Sequence, residues 1–215
     1  MKLINRAASL VLVGVMGVAL AGTAQAGGDA EAGKAKSAVC AACHGADGNS
    51  AAGMFPKLAG QGERYFIKQL SDMKAGKRNV PQMTAFLATL TEQDYADLAA
   101  YYAGQTIKLG AAKADLVEAG QSLYRAGNAA SGVPACSSCH GAAGAGMAEA
   151  GFPALGGQHP EYIEAQLKAF RAAGRGDESG AKRDNDGDTM MMRGAAARLS
   201  DSDIKALASY ISGLH

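Results

Sequence analysis

The residues best equipped for chemistry are the four cysteines, and all four lie in two matching units, Cys40-Ala41-Ala42-Cys43-His44 and Cys136-Ser137-Ser138-Cys139-His140. Two residues between the thiols place them to add to the two vinyl groups of one haem. A histidine directly after the second thiol then lies under the iron as proximal ligand. Other uses of paired cysteines fit less well. Structural disulfides give no reason for a histidine after each pair. A thioredoxin-like site wants a preceding strand in a βαβ unit, which the pattern lacks. A four-thiolate zinc site wants pairs about 15–20 residues apart, whereas these begin at positions 40 and 136. Adjacent Cys and His crowd one tetrahedral ion, which argues against a zinc site in each half. The motifs therefore predict two covalently bound haem c groups, one on Cys40 and Cys43 and one on Cys136 and Cys139, with His44 and His140 on the irons.

A sulfur ligand opposite histidine suits electron transfer, because a soft thioether favours ferrous iron and raises the potential. Of the methionines beyond residue 26, only Met83 and Met192 occupy equivalent places, each seven residues before a leucine that leads into the last helix of its half. They are the expected sixth ligands of the first and second iron. Met190, in the run Met190-Met191-Met192, is the second candidate for the second iron. Met73 belongs to an apolar helical face and reads as core. Met54 and Met147 follow their histidines too closely to cross a haem. Pro56 and Pro153 stand 12 and 13 residues after His44 and His140, and a backbone carbonyl there is expected to accept the Nδ1–H of each histidine. His159 and His215 have no partner in the other half and are expected to be solvated. The acidic run Asp184-Asn185-Asp186-Gly187-Asp188 is not an EF-hand, since Lys182 and Arg193 fall where that loop needs ligands.

These residues are positioned by a duplicated chain. Phe55-Pro56-Lys57-Leu58-Ala59-Gly60-Gln61 recurs as Phe152-Pro153-Ala154-Leu155-Gly156-Gly157-Gln158. The pattern Met83, Leu90, Asp94, Leu98, Tyr101 recurs at Met192, Leu199, Asp203, Leu207, Tyr210. The growing offset places a loop insertion in the second copy near residues 174–188. Two homologous domains are expected, at 27–107 and 108–215, with a linker around Gln105–Ala114. Each reads as helices. Asp29 caps a helix running through Gly33 to Val39. Phe66, Leu70 and Met73 line one face of the next, stopped by Gly76, and its counterpart runs from Pro160 to about Ala173, before Gly174. Thr91-x-x-Asp94 and Ser200-x-x-Asp203 open the last helices, whose inner faces are Tyr95, Leu98, Tyr102 and Ile204, Leu207, Ile211, ended by Gly104 and Gly213. No period-2 stretch competes, so the class is all-α.

Residues 1–26 read as a cleaved secretory signal, with Lys2 and Arg6, the apolar run Ala7 to Ala21, and Ala24-Gln25-Ala26 as the cleavage pattern. Their apolar run is short for a membrane span. Residues 27–107 carry 8 basic and 8 acidic side chains and residues 108–215 carry 11 and 12, so no electrostatic footprint for nucleic acid exists. Aromatics are 6% of the chain and Trp is absent, thin for two cores. Two buried porphyrins account for that, and they imply that neither half folds stably without its haem.

The whole chain after residue 26 resembles the two-haem class I cytochromes of the cytochrome c4 family. The likeness rests on the two Cys-x-x-Cys-His units, the two Phe-Pro-x-Leu-x-Gly-Gln units, Asn185-Asp186-Gly187-Asp188 before the second methionine group, and Ser209-Tyr210-Ile211-Ser212-Gly213-Leu214-His215. It implies two tandem cytochrome c domains packed face to face about a pseudo-twofold axis, with haem propionates near the interface. It also implies a monomeric periplasmic electron carrier, sometimes peripherally membrane-associated, between a cytochrome bc complex and a terminal oxidase. The alternative is a two-haem enzyme of peroxidase or thiosulfate-oxidising type, with one open haem site.

Overall fold

The computed structural model describes residues 27–178 and 181–215; the expected signal segment, 1–26, lies outside the described residues. The described residues fold as ten α-helices with short 3-10 turns and no strand. Two isolated bridges form among them, Asn128 with Val133 and Met147 with Phe152.

The first half contains α1 (Ala30–Lys36), α2 (Ala41–His44), α3 (Glu63–Lys74), α4 (Pro81–Leu87) and α5 (Glu92–Ala103). Asp29 caps α1 by accepting from the backbone N–H groups of Glu31 (2.9 Å) and Ala32 (3.2 Å). The capping box of α5 forms as read: Thr91 N–H donates to Asp94 Oδ2 (2.7 Å) and Asp94 N–H donates to Thr91 Oγ1 (3.2 Å). Phe66, Leu70 and Met73 of α3 are buried with Tyr95, Leu98 and Tyr102 of α5 in one core. The second half repeats this with α6 (Val117–Ala126), α7 (Ser137–His140), α8 (Pro160–Arg175), α9 (Met191–Ala196) and α10 (Asp201–Ser212). Ser200 and Asp203 form the matching capping box, and Ile204, Leu207 and Ile211 enter a second core. The all-α duplication is confirmed.

Helix α8 differs from expectation. It runs through Gly174 and ends at Arg175, four residues longer than α3, with Gly176 in the left-handed cap (φ 68°). Glycine at 174 serves close packing instead: a Cβ there would stand 2.4 Å from the Arg193 carbonyl oxygen. The helix pairs α1/α5 and α6/α10 cross at a similar glycine contact. A Cβ on Gly33 would lie 2.0 Å from the Asp97 carbonyl oxygen, and one on Gly120 would lie 2.5 Å from the Ala206 carbonyl oxygen.

The two halves meet along α3, α8 and the loops before them, and the contacts come in reciprocal pairs. Gln61 brackets the backbone of Ala154: Ala154 N–H donates to Oε1 (3.0 Å), and Nε2 donates to the Ala154 carbonyl (3.1 Å). Gln158 brackets Lys57 in the same manner, at 2.8 and 2.9 Å. Arg78 of the first half donates to Tyr162 Oη (2.9 Å), and Arg183 of the second donates to Tyr65 Oη (2.9 Å). Each guanidinium also donates to both Gln69 and Gln166. Since Gln61 matches Gln158 and Tyr65 matches Tyr162 in the repeat, these crossed contacts define the pseudo-twofold relation of the domains.

Candidate haem sites

Each Cys-x-x-Cys-His unit opens with an α-turn and ends on a glycine. The four-residue helices α2 and α7 place the second cysteine and the histidine on consecutive positions, and Gly45 and Gly141 follow at φ 80° and 79°. That positive φ, which side-chain-bearing residues adopt at a cost, turns the chain away directly behind the histidine. His44 and His140 are 7% and 5% exposed. His44 Nδ1 donates to the Pro56 carbonyl at 2.8 Å, and His140 Nδ1 donates to the Pro153 carbonyl at 3.0 Å. A histidine whose Nδ1–H is held by a carbonyl presents Nε2 as the coordinating nitrogen, with its ring orientation fixed and its donor strength raised. Burial lowers the pKa of both rings, more than the proline carbonyls raise it. Both are therefore neutral, the ligand form.

Four of the other predicted residues pack on the two cores. Cys40 and Met83 pack on the first core, Cys136 and Met192 on the second. All four thiols are free. Cys40 and Cys136 lie in apolar, largely buried surroundings. Met83 sits in the first turn of α4, behind Val80 and Pro81. Of the methionine triplet, Met190 occupies the left-handed cap position of α9 (φ 48°) and is 52% exposed, and Met191 is 49% exposed. Met192 alone packs inward. Met73 is buried on α3, while Met54 and Met147 are exposed.

Two tests bear on whether these residues fit haem c. One is the donor set: a neutral buried histidine, two free thiols and an inward methionine in each half match a thioether-bound porphyrin and not a bare ion. Among the described residues no group of three His, Cys, Asp or Glu could hold a metal. The second is an under-satisfied atom: Tyr102 Oη is buried with no well-formed hydrogen bond, only the Cys40 thiol and the Ser37 side chain beside it, a cost that an added group can offset. The residues fit.

Three features had no local signal. His159, expected in solvent, is half-buried at the interface, where its Nε2 meets the Ser50 carbonyl (3.0 Å) and Ser50 Oγ (2.9 Å). Tyr124 Oη donates to the carbonyl of Gly141, next to His140 (2.7 Å). Lys57 is buried between the halves. Each partner lies across a tertiary contact that neither periodicity nor motif spacing reports.

Comparison with known proteins gives the family. The family model described as cytochrome c matches residues 30–104 and 117–215. The chain is 55% identical over 196 residues to cytochrome c4 of Pseudomonas aeruginosa, covering 91% of this chain and 94% of that one. Its fold matches the crystal structure of reduced recombinant cytochrome c4 from Pseudomonas stutzeri with a TM-score of 0.82 and 52% identity, over 87% of this chain and all of that one. A thiosulfate dehydrogenase electron acceptor of Thiomonas intermedia is 37% identical, covering 82% of this chain and 79% of its own. Two cytochrome c domains with intact Cys-x-x-Cys-His units carry two covalent haem c groups. The chain belongs to the cytochrome c family, as a dihaem electron-transfer cytochrome of the c4 type.

Proposed function

We propose that this protein is a periplasmic electron carrier, not an enzyme, in which His44 and Met83 hold the iron of the first haem and His140 and Met192 that of the second. Cys40, Cys43, Cys136 and Cys139 are the thioether attachments. The domains span 27–107 and 108–215 after a signal segment at 1–26 is removed. The carrier acts as a monomer between a cytochrome bc complex and a terminal oxidase, in places at the membrane periphery and with no nucleic-acid partner. The observation that carries this reading is the repeated two-sided arrangement: in both halves the histidine ring is locked by a proline carbonyl while one methionine is packed inward.

When bound, haem supplies a one-electron ferric/ferrous couple. The chain's residues do the rest. The carbonyls of Pro56 and Pro153 hold the imidazoles in one tautomer and one orientation. The two cores exclude water from the rings, which keeps reorganisation small. Arg78 and Arg183 are buried and have no carboxylate partner among the described ion pairs, and they would supply cations to haem carboxylates when the group is bound.

A filled sixth position blocks small ligands, and this separates a carrier from a peroxidase or thiosulfate-oxidising enzyme. Carbon monoxide added to the reduced protein at neutral pH should leave both haem spectra unchanged. Rapid stoichiometric binding at one haem would establish the enzyme reading instead.

A further inference from the structure

The carbonyl that holds His44 belongs to Pro56, and the N–H of the same peptide group belongs to Lys57. A trans peptide is planar, with its C=O and N–H pointing in opposite directions, and no cis bond occurs among the described residues. The histidine and whatever accepts the Lys57 N–H therefore stand on opposite sides of one rigid unit. That acceptor is Gln158 Oε1 of the other half, at 2.8 Å. The second half has the mirror arrangement: the Pro153 carbonyl holds His140, and the Ala154 N–H of that peptide donates to Gln61 Oε1 of the first half, at 3.0 Å. Each histidine thus begins a chain that runs from imidazole N–H to peptide carbonyl, from peptide N–H to glutamine oxygen, and across the interface. Both glutamines are buried, and further bonds fix their orientation. Nε2 of Gln158 donates to the Lys57 carbonyl (2.9 Å) and that of Gln61 to the Ala154 carbonyl (3.1 Å). Each Oε1 also accepts from the next backbone N–H, His159 or Gly62, at 3.0 Å. Neither oxygen can turn away from its peptide without breaking these bonds.

We propose that Gln61 and Gln158 are positioning residues exchanged between the domains: each holds the peptide that holds the other domain's histidine, and so raises that histidine's donor strength toward iron. The inference rests on the reading that His44 and His140 ligate the two irons. A hydrogen bond accepted from a peptide N–H polarises the amide and makes its carbonyl a better acceptor. A better acceptor draws the Nδ1 proton and makes Nε2 more basic. A more basic ligand favours ferric iron, which carries one more positive charge than ferrous. Removing a glutamine oxygen therefore shifts a couple toward ferrous iron, and it does so in the domain that does not carry the substitution.

The test is a redox titration of the holoprotein with each haem followed by its own haem-methyl NMR resonances, together with the Nδ1–H resonances of His44 and His140 in the reduced protein. Gln158→Met keeps the length of the side chain and removes the acceptor. It should move the first haem's ferrous-to-ferric ratio roughly threefold toward ferrous, carry the His44 Nδ1–H resonance upfield, and leave the second haem and His140 in place. Gln61→Met should act on the second haem and His140 alone. Gln158→Glu retains an oxygen for the Lys57 N–H and should not raise the first haem's potential, whereas a side chain that only filled the interface would be replaced no better by Glu than by Met. Should one Met variant fail to fold, the other decides. Unchanged potentials and Nδ1–H resonances, an equal shift at both haems, a shift confined to the substituted domain's own haem, or a rise in the Glu variant equal to that in Met overturns the proposal. Ligand resonances of the unmutated oxidised protein report on the underlying reading alone. If they show no histidine on the irons, that reading fails; if they show both and the crossed shifts are absent, only the role of the glutamines fails.

Discussion

The two halves of the molecule are copies at the histidine and the proline carbonyl that holds it, and diverge where they fill space around them. Both lock a histidine onto a proline carbonyl, both open their last helix with a capping box, and both cross two helices at a glycine. Yet the aromatic bulk near that crossing comes from opposite helices. In the first half α1 is followed by Ser37 and α5 supplies Tyr102; in the second α6 supplies Tyr124 and α10 has Ile211 at the matching place. The lesson is that cores conserve volume and allow its source to change, whereas a ligand's hydrogen bond has one geometry and tolerates no exchange of roles.

The largest test of this likeness is at the sixth ligand. Met192→His should remove half of the methionine-to-ferric-iron charge-transfer absorption and lower one potential, while Met190→Ala should leave the spectrum as it was. An unchanged spectrum for Met192→His would transfer the role to Met190. Next come the glycine crossings. Gly33→Ala and Gly120→Ala each force a Cβ into a backbone carbonyl, and overpacking of this kind costs about 1–3 kcal/mol. The closer contact at Gly33, 2.0 against 2.5 Å, predicts the larger loss in denaturant midpoint.

Acid should separate the halves. Asp97 accepts from Asp29 N–H (2.9 Å), Gln93 Nε2 (2.8 Å) and Lys36 Nζ, and these bonds, that of Lys36 first, lower its pKa to about 2. The second half has Ala206 and Leu123 in place of Asp97 and Lys36. A carboxylate that protonates less readily folded than unfolded contributes fully above its ordinary pKa of 3.8. That contribution fades as pH falls toward 2. Acid titration with domain-resolved NMR should therefore show the first half loosening ahead of the second, and Asp97→Ala should shorten the lead, the lowered carboxyls of Asp94 and Asp47 keeping part of it. The smallest effect is expected at His159, whose counterpart Gly62 makes no such bond. His159→Ala deletes one interface hydrogen bond, worth about 1 kcal/mol, and should slightly separate the unfolding of the two halves in a calorimetric scan.

Much of the site is legible in short stretches of sequence. Thiol spacing, the histidine beside it and the duplicated proline are local features, and the Nδ1-to-carbonyl bonds follow from them. Helix starts were legible for the same reason, because a cap is made by residues three apart. The end of α8 was less so: Gly174 and Gly176 are equal as stop signals, and only the packing of α9 against Gly174 decides between them. His159 read as a solvated residue because nothing within its own half accounts for it; its partner is Ser50, 109 positions earlier.

The amino-acid sequence by itself determined the two haem attachments, the histidine that directly follows each, and the duplication, since covalent attachment and capping depend on neighbours a few residues apart. The tertiary structure alone decided which methionine of the triplet turns inward, how Arg78 and Arg183 cross between the halves, and that Lys57 is buried between them. These depend on which surfaces two folded domains bury against each other, and burial is a property of the packed molecule that no stretch of chain carries alone.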